Sequence, residues 1–186
     1  EYPLLTVNVP NKGIPSVNIG WIGFLGAVSG MNAEKITLGE MGYGDPDGET
    51  MHGEPMPFLL RDVLTYAKNL KDVRKIISSA PPTNSFVFLM SDGKSNTAEL
   101  YIRDPKRFEV HKVGETLKDD SRNFPGIKNI VYGGHYDDKM HQSLTEQRGK
   151  LTPQNIMDEV IPFIAMPSNF QNCLLYTSDA ADEGLG

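Results

Sequence analysis

With one cysteine in 186 residues, Cys173, there is no intrachain disulfide and no set of thiolates for a zinc site. No run of about 18 apolar residues occurs, so no membrane span is expected. The longest apolar stretch, Ile19 to Val28, is broken by three glycines. Basic residues are in the minority. Eighteen Lys and Arg against 24 Asp and Glu give a net charge of -6, and no Lys/Arg stripe offers phosphates a counterion, which argues against a nucleic-acid partner. Phosphate-loop, dinucleotide-fingerprint and HExxH patterns are absent as well. Glu1-Tyr2-Pro3 carries neither the basic region of a signal peptide nor an initiator Met, and the chain is expected to be processed or cut from something longer.

What is present suits a folded domain. Hydrophobic residues make up 39% and charged residues 23%, enough apolar material for a core. "PLLTVNVP" and "IPSVNIGWIGFLGAVSG" are rich in β-branched and aromatic residues and read as strands. "GMNAEK" reads as a hairpin turn before a strand at "KITLGEM". There Ile36, Leu38 and Glu40 share one parity. A carboxylate in phase with apolar residues needs a partner or a ligand, unless it lies past the buried part of the strand; both readings stand.

Gly42 to Pro55 is a glycine- and proline-rich loop. Its glycines fit a turn or a close backbone approach, because no Lys-Ser/Thr follows to hold phosphate. Pro57 opens a helix whose stripe is Phe58, Leu59, Leu60, Val63, Leu64 and Ala67, with Arg61 and Asp62 on its wet face. A second helix, Lys71 to Ser79, buries Val73, Ile76 and Ile77 and stops at "APPT". The clearest hairpin pairs Ser85 to Met90 with Thr97 to Ile102, and "RFEVHKV" adds a strand. Residues 116–128 read as irregular, "NIVYGG" as a short strand, and "HYDDKMH" as a solvated loop. That last stretch groups His135, Asp137, Asp138 and His141, a set with metal-ligand chemistry but no evident distant ligand. Asn123 in "DDSRNFP" shapes a turn or presents an amide to a cleft. Thr152 caps a helix with Pro153 first and Ile156, Val160, Ile161 and Ile164 inward. Strands, two helices, strands and helices in that order give an α+β fold.

Four segments, taken in order, resemble the superfamily of choloylglycine hydrolase and acyl-CoA:6-aminopenicillanic acid acyltransferase. They are "GFLGAVSGMNAEKITLGEMG", "GEPMPFLLRDVLTYAKNLKDVRKII", "NSFVFLMSDGKSNTAELYIRD" and "GKLTPQNIMDEVIPFIAMPSNFQN". The resemblance spans about Ile14 to Asn172. It implies the αββα sandwich of N-terminal nucleophile hydrolases, here partial, over residues 1–172. It implies a small-molecule amide or acyl substrate and no cofactor or metal. In such enzymes a terminal cysteine attacks the carbonyl while its own α-amine acts as base. Carried over residue by residue, Asn32 matches a structural hairpin asparagine, and Glu40, Met41, Gly42 and Tyr43 match a substrate-pocket stretch. The sequence departs from the pattern at Lys35, where the hairpin usually has glycine. It offers only Asn123 near the place of the oxyanion asparagine, and no late arginine before Asn169. Two other classes stay open, a non-catalytic ligand-binding domain and a phospholipase-like esterase.

Glu1 can serve as neither nucleophile nor base, so no residue here is assigned a catalytic role and the nucleophile is expected upstream of residue 1. "CLLYTSDAADE", Cys173 to Glu183, matches the translation of a transposon-type sequencing adapter, and residues 173–186 are expected to be a non-native tail. Cys173 is then a read-through residue. The purified 186-residue chain is accordingly expected to release no amine from linear amides; measurable turnover in an amine-release assay would contradict this.

Overall fold

The computed structural model describes residues 2–42, 49–118, 123–133 and 137–164. Tyr43, His135 and the stretch from Cys173 onward lie outside the described residues. The chain divides into two units with the boundary between residues 134 and 135.

The first unit is built on a seven-stranded antiparallel sheet in the order β1-β2-β3-β4-β5-β6-β7. The strands are β1 (Pro3–Asn8), β2 (Ser16–Trp21), β3 (Ser29–Asn32), β4 (Ile36–Gly42), β5 (Phe86–Asp92), β6 (Thr97–Arg103) and β7 (Phe108–Lys112). Every strand pairs with its sequence neighbour, so the sheet is a simple meander. Between β4 and β5 the chain leaves to form α1 (Met56–Tyr66) and α2 (Leu70–Ser79). Both helices pack on one face. Leu60, Val63, Leu64, Leu70, Val73 and Ile77 meet Ile36, Leu38, Phe88, Met90 and Tyr101 in one buried cluster.

Local chemistry explains the element ends. Pro57 sits in the first turn of α1, where a missing N–H costs nothing. The Asn69 side chain accepts from the Asp72 N–H and starts α2. Two glycines let the sheet and α1 approach closely. A Cβ on Gly26, at φ +126, would lie 2.6 Å from the Pro57 Cβ, and one on Gly30 would lie 3.0 Å from the Leu64 Cδ1. The second half of the expected loop, residues 49–55, is tied to the segment before β5. The Thr50 N–H donates to the Thr83 carbonyl at 2.9 Å, and the Glu54 N–H to that of Pro81 at 2.8 Å.

Asn32 joins the β3–β4 turn to the end of α1. Its amide donates to the Leu64 and Ala67 carbonyls at 3.1 and 2.8 Å. Its oxygen accepts from the Glu34 and Ile36 N–H groups at 3.1 and 3.0 Å. Four bonds converge on one buried side chain. Lys35, where the resemblance has glycine, takes a positive φ of 61° in this turn.

On the helix side, Glu99 of β6 is buried between α2 and Tyr101. Arg74 pairs with it through both a guanidinium nitrogen and Nε, the latter at 2.7 Å, and the Tyr101 hydroxyl donates to it at 2.5 Å. Burial raises the Glu99 pKa, but the Arg74 and Tyr101 contacts outweigh it and hold the carboxylate below its ordinary range.

Three sequence expectations change. Residues 116–128 are not wholly irregular, because β8 (Leu117–Lys118) pairs with β9 (Asn123–Phe124). Asn123 therefore sits in a short strand instead of a turn. The described part of "NIVYGG" forms no strand; Ile130 makes a single bridge to Ile127, closed by Asn129 at φ 66°. "HYDDKMH" is not a loop over its described part, since α3 spans Asp137–Glu146. Residues 140, 141, 143, 144 and 147 are shielded at helical spacing, a stripe hidden by the polarity of the positions. Among the described residues no group of three metal-ligating side chains occurs.

The second unit continues with α4 (Pro153–Asn155), a π-helical turn (Ile156–Val160) and α5 (Ile161–Ile164). Thr152 caps this run by accepting from the Asn155 N–H at 3.1 Å. Val160 is buried as expected, but Ile156 is 39% exposed. The π turn precedes Pro162, which has no N–H to donate, and the widened turn shifts side chains off the regular 3.6-residue stripe.

Replacing Asn32 with Ala leaves two buried carbonyls and two N–H groups without partners. A loss of about 2–4 kcal/mol is expected, read as a lower urea midpoint at unchanged slope.

Candidate functional site

Antiparallel pairing places directly opposed residues on the same face of a sheet. One set of rows faces the helices. The other faces away and is apolar across most of the sheet. One row on that open face runs Val7, Val17, Met31, Thr37, Ser91, Ala98 from β1 to β6. The next runs Leu5, Ile19, Ser29, Gly39, Leu89, Leu100.

The open face is covered unevenly. Over β6, Leu100 and Ile102 are buried. A Cβ on Gly133 would lie 2.3 Å from Leu100 Cδ1, so the segment before residue 134 lies against this strand. The Tyr132 hydroxyl fixes that segment by donating to the Pro125 carbonyl at 2.8 Å. Toward β1 the cover ends. Leu5 is 62%, Val7 64%, Ile19 47%, Met31 46% and Leu89 43% exposed.

A groove of about 460 Å³ lies where cover gives way to open sheet. Its floor is Thr37, Gly39, Ser91 and Ala98, and its walls are Leu89, Val113, Ile130 and Val131, with Leu38 and Asn129 completing it. No lining residue is charged. Thr37 Oγ1 and Ser91 Oγ share one hydrogen bond of 2.5 Å across β4 and β5. Gly39 has an ordinary φ, and a Cβ built on it would meet nothing within 4 Å. Neither backbone conformation nor packing demands glycine there. The volume lies in the range of small-molecule pockets, and the lining has their usual make-up, apolar with a few polar groups.

The stretch singled out from sequence divides between the two faces. Glu40 and Gly42 share the helix side with Ile36 and Leu38, Met41 shares the open side with Thr37 and Gly39, and none of them lines the groove. Glu40 is half-buried opposite Phe88 and has no hydrogen-bond or ion-pair partner among the described residues. Burial alone pushes its pKa above the ordinary 4.5. Glu54, on the loop that leads into α1, is raised by burial and by the charge of Asp62, with Arg61 opposing. Asn32 is held as described above, away from the groove lining.

The groove residues escaped the sequence reading for a definite reason. Thr37 and Gly39 are the polar phase of "KITLGEM", and such positions normally face water. The partner of Thr37, Ser91, lies 54 residues away and is known only from the register.

No family model matches the chain. Among curated proteins it is 27% identical over 180 residues to Protein dcd1B of Dictyostelium discoideum, covering 85% of this chain and 34% of that protein. The chain thus spans about a third of the length of the curated relative it matches. Among solved structures, the Caenorhabditis elegans ortholog of N-acylethanolamine-hydrolyzing acid amidase aligns with a TM-score of 0.57 at 12% identity, over 92% of this chain and 76% of that one. A mutant conjugated bile acid hydrolase from Clostridium perfringens aligns at 0.50 and 11% identity, over 82% and 64%. The fold is N-terminal-nucleophile-hydrolase-like. The α+β expectation holds as a mixed fold built on a seven-stranded antiparallel sheet. No helix among the described residues is long and apolar enough to cross a membrane.

The raised pKa of Glu40 has a sign that can be tested. A neutral carboxyl suits its half-buried site, so this contribution to stability is complete below the unfolded pKa and is lost as pH rises through the higher folded one. Glu40→Gln is therefore expected to melt like the wild type near pH 4 and at a higher temperature near pH 7. A variant whose melting temperature tracks the wild type at both values would show that burial does not strain this carboxylate.

Proposed function

We propose that this chain is part of a cysteine N-terminal nucleophile hydrolase or acyltransferase acting on linear amides. The observation that carries the reading is the open apolar face. A single sheet with helices on one side and Leu5, Val7, Ile19, Met31 and Leu89 exposed on the other is what one half of an αββα sandwich would present without its partner layer. In this reading a second sheet covers that face. The fold-level likeness to two amide-cleaving enzymes supports the assignment, although a fold hosts many chemistries.

The chemistry would run in two steps. A cysteine thiolate adds to the amide carbonyl, the C–N bond breaks, and the amine leaves with the proton taken up by the terminal α-amine. Water then releases the acid from the thioester, or a second amine accepts the acyl group. Backbone N–H groups would hold the oxyanion in both steps. The pocket stretch Glu40 to Tyr43 belongs to this proposal as a substrate-facing segment at the end of β4, and Asn32 as the residue that sets the hairpin before it.

The full-length gene product decides the matter. Amine release from a linear amide, its loss after thiol alkylation, and an acyl adduct of matching mass on a cysteine are expected. Cleavage of the matched ester without the amide would favour an esterase, and saturable amide binding without turnover would favour a binding domain; either result overturns the proposal.

A further inference from the structure

The two edges of the seven-stranded sheet are guarded unequally. β7 carries Glu109, His111 and Lys112, with Arg107 just before it, and its Lys112 N–H donates to the Glu115 carboxylate at 2.8 Å. Charged side chains of this kind keep other strands from adding. β1 has no such guard. Residues 2–11 hold no charge, and neither does β2 behind it. The register runs from Pro3 to Asn8 without a bulge. Leu4, on the helix side, is 44% exposed, and Leu5 and Val7, on the open side, are more so. We infer that β1 is a dimerisation edge: it pairs antiparallel with β1 of a second copy of this chain, about a two-fold axis at Thr6. This goes beyond the amidase reading and does not rest on it.

The backbone of β1 is its own complement. The Ile22 N–H donates to the Tyr2 carbonyl at 3.1 Å, so the main-chain polar groups of Tyr2 turn toward β2. Alternation turns those of Leu4, Thr6 and Asn8 the same way, and those of Pro3, Leu5 and Val7 outward. Pro3, which has no N–H to give, stands at an outward position, where the β1–β2 ladder loses nothing. In an antiparallel pair, outward residues must meet outward residues. With Thr6 opposite its own copy, Leu5 of each chain meets Val7 of the other. Each Leu5 N–H then finds a Val7 carbonyl, and each Val7 N–H finds a Leu5 carbonyl.

Side chains and charge agree with this register. Leu5 and Val7 come together on the open side, while Thr6 meets Thr6 and Leu4 meets Asn8 on the other. Aliphatic and threonine pairs across antiparallel strands are favourable. Each copy carries a net charge of -6, so two copies repel one another. The uncharged edge formed by β1 and β2 is where they approach at least cost, whereas an acidic or basic peptide would find no counterion there. The two-fold contact is closed, because it uses the unguarded edge of each sheet and leaves the charged β7 edges outermost. It lies in the plane of the sheet and is compatible with a second layer over the open face. A contact about 20 Å long is small beside the interface of a permanent dimer, so the dimer is a weak one.

Analytical ultracentrifugation of the 186-residue protein reads the association. The weight-average mass is expected to rise from 20.6 kDa toward twice that value as concentration climbs through the micromolar range. Val7→Pro deletes an outward N–H and leaves the β1–β2 bonds in place, so it is expected to weaken dimerisation about tenfold or more at nearly unchanged melting temperature. Should it not fold, Leu5→Lys sets a charge on the same edge and is expected to do the same. Met31→Lys, on the open face away from the edge, is expected to dimerise like the wild type. In a Cys173→Ser background, Thr6→Cys is expected to form an intermolecular disulfide on mild oxidation, because facing residues that share no hydrogen bond bring their Cα atoms to about 4.5 Å. A mass that stays monomeric throughout, dimerisation lost in Met31→Lys but kept in Val7→Pro, or a bridge at Leu5→Cys in place of Thr6→Cys would overturn the inference. The Thr6→Cys bridge is expected in the full-length gene product too. Its absence there would mean that another strand of the same chain holds β1, which equally overturns it.

Discussion

Antiparallel pairing with a period of two is the constraint from which the rest follows. In a seven-stranded meander each residue goes to one face or the other, and a slip of one position in any strand would move its whole apolar set to the wrong side. Asn32 is where that register is fixed against the helices. Its amide grips the last carbonyls of α1 while its oxygen holds the turn into β4. The phase of β4 sets that of β5 and β6 through their pairing, and so decides that Ile36 and Leu38 go under the helices while Thr37 and Gly39 face away. The groove is a consequence of this sorting.

Much of this was legible in the residues because it depends on local patterns. The shared parity of Ile36, Leu38 and Glu40 places all three on the helix side. The apolar spacing of Leu59, Leu60, Val63 and Leu64, with proline in the first turn, marks α1, and Asn69 with Asp72 marks the start of α2. What stayed hidden depends on long-range pairing or on a narrow signal. The row of Thr37, Ser91 and Ala98 exists only once strands separated by the helix pair have met. The residues 129–131 that wall the groove belong to a segment whose short apolar run suggested a strand, whereas its docking is set by a left-handed Asn129 and by Gly133 against Leu100. In α3 the shielded stripe is thin and its surroundings charged, so polarity masked the helix.

The two faces differ in how they handle charge. On the helix side, Glu99 is buried with Arg74 and Tyr101 around it, and Asp92, which burial would raise, is held low by the backbone and side-chain groups of Lys94 and Ser95. Glu40, on the same side, is half-buried and has no such support among the described residues. Compensated carboxylates brace a core. One with no partner among the described residues, near the end of β4, is a place where binding or a change of protonation can still gain free energy. This is why the end of β4 keeps its interest although its residues turn to both sides of the sheet.

The open side holds no comparable ionic network at the groove, and its exposed aliphatic residues carry a cost of their own. Burying a side chain such as Leu5 or Ile19 is worth about 1.5–3 kcal/mol, and several of them lie in adjacent rows. Contiguous apolar surface of this kind on a sheet usually marks an interface. A flat second layer would satisfy Leu5, Val7, Ile19 and Met31, whose side chains stand out from the strands. It would not fill the trough at Gly39, where the floor drops by a whole side chain. A layer that closed the face would therefore turn the groove from an open channel into an enclosed one. There, excluding water would raise the cost of admitting a charge.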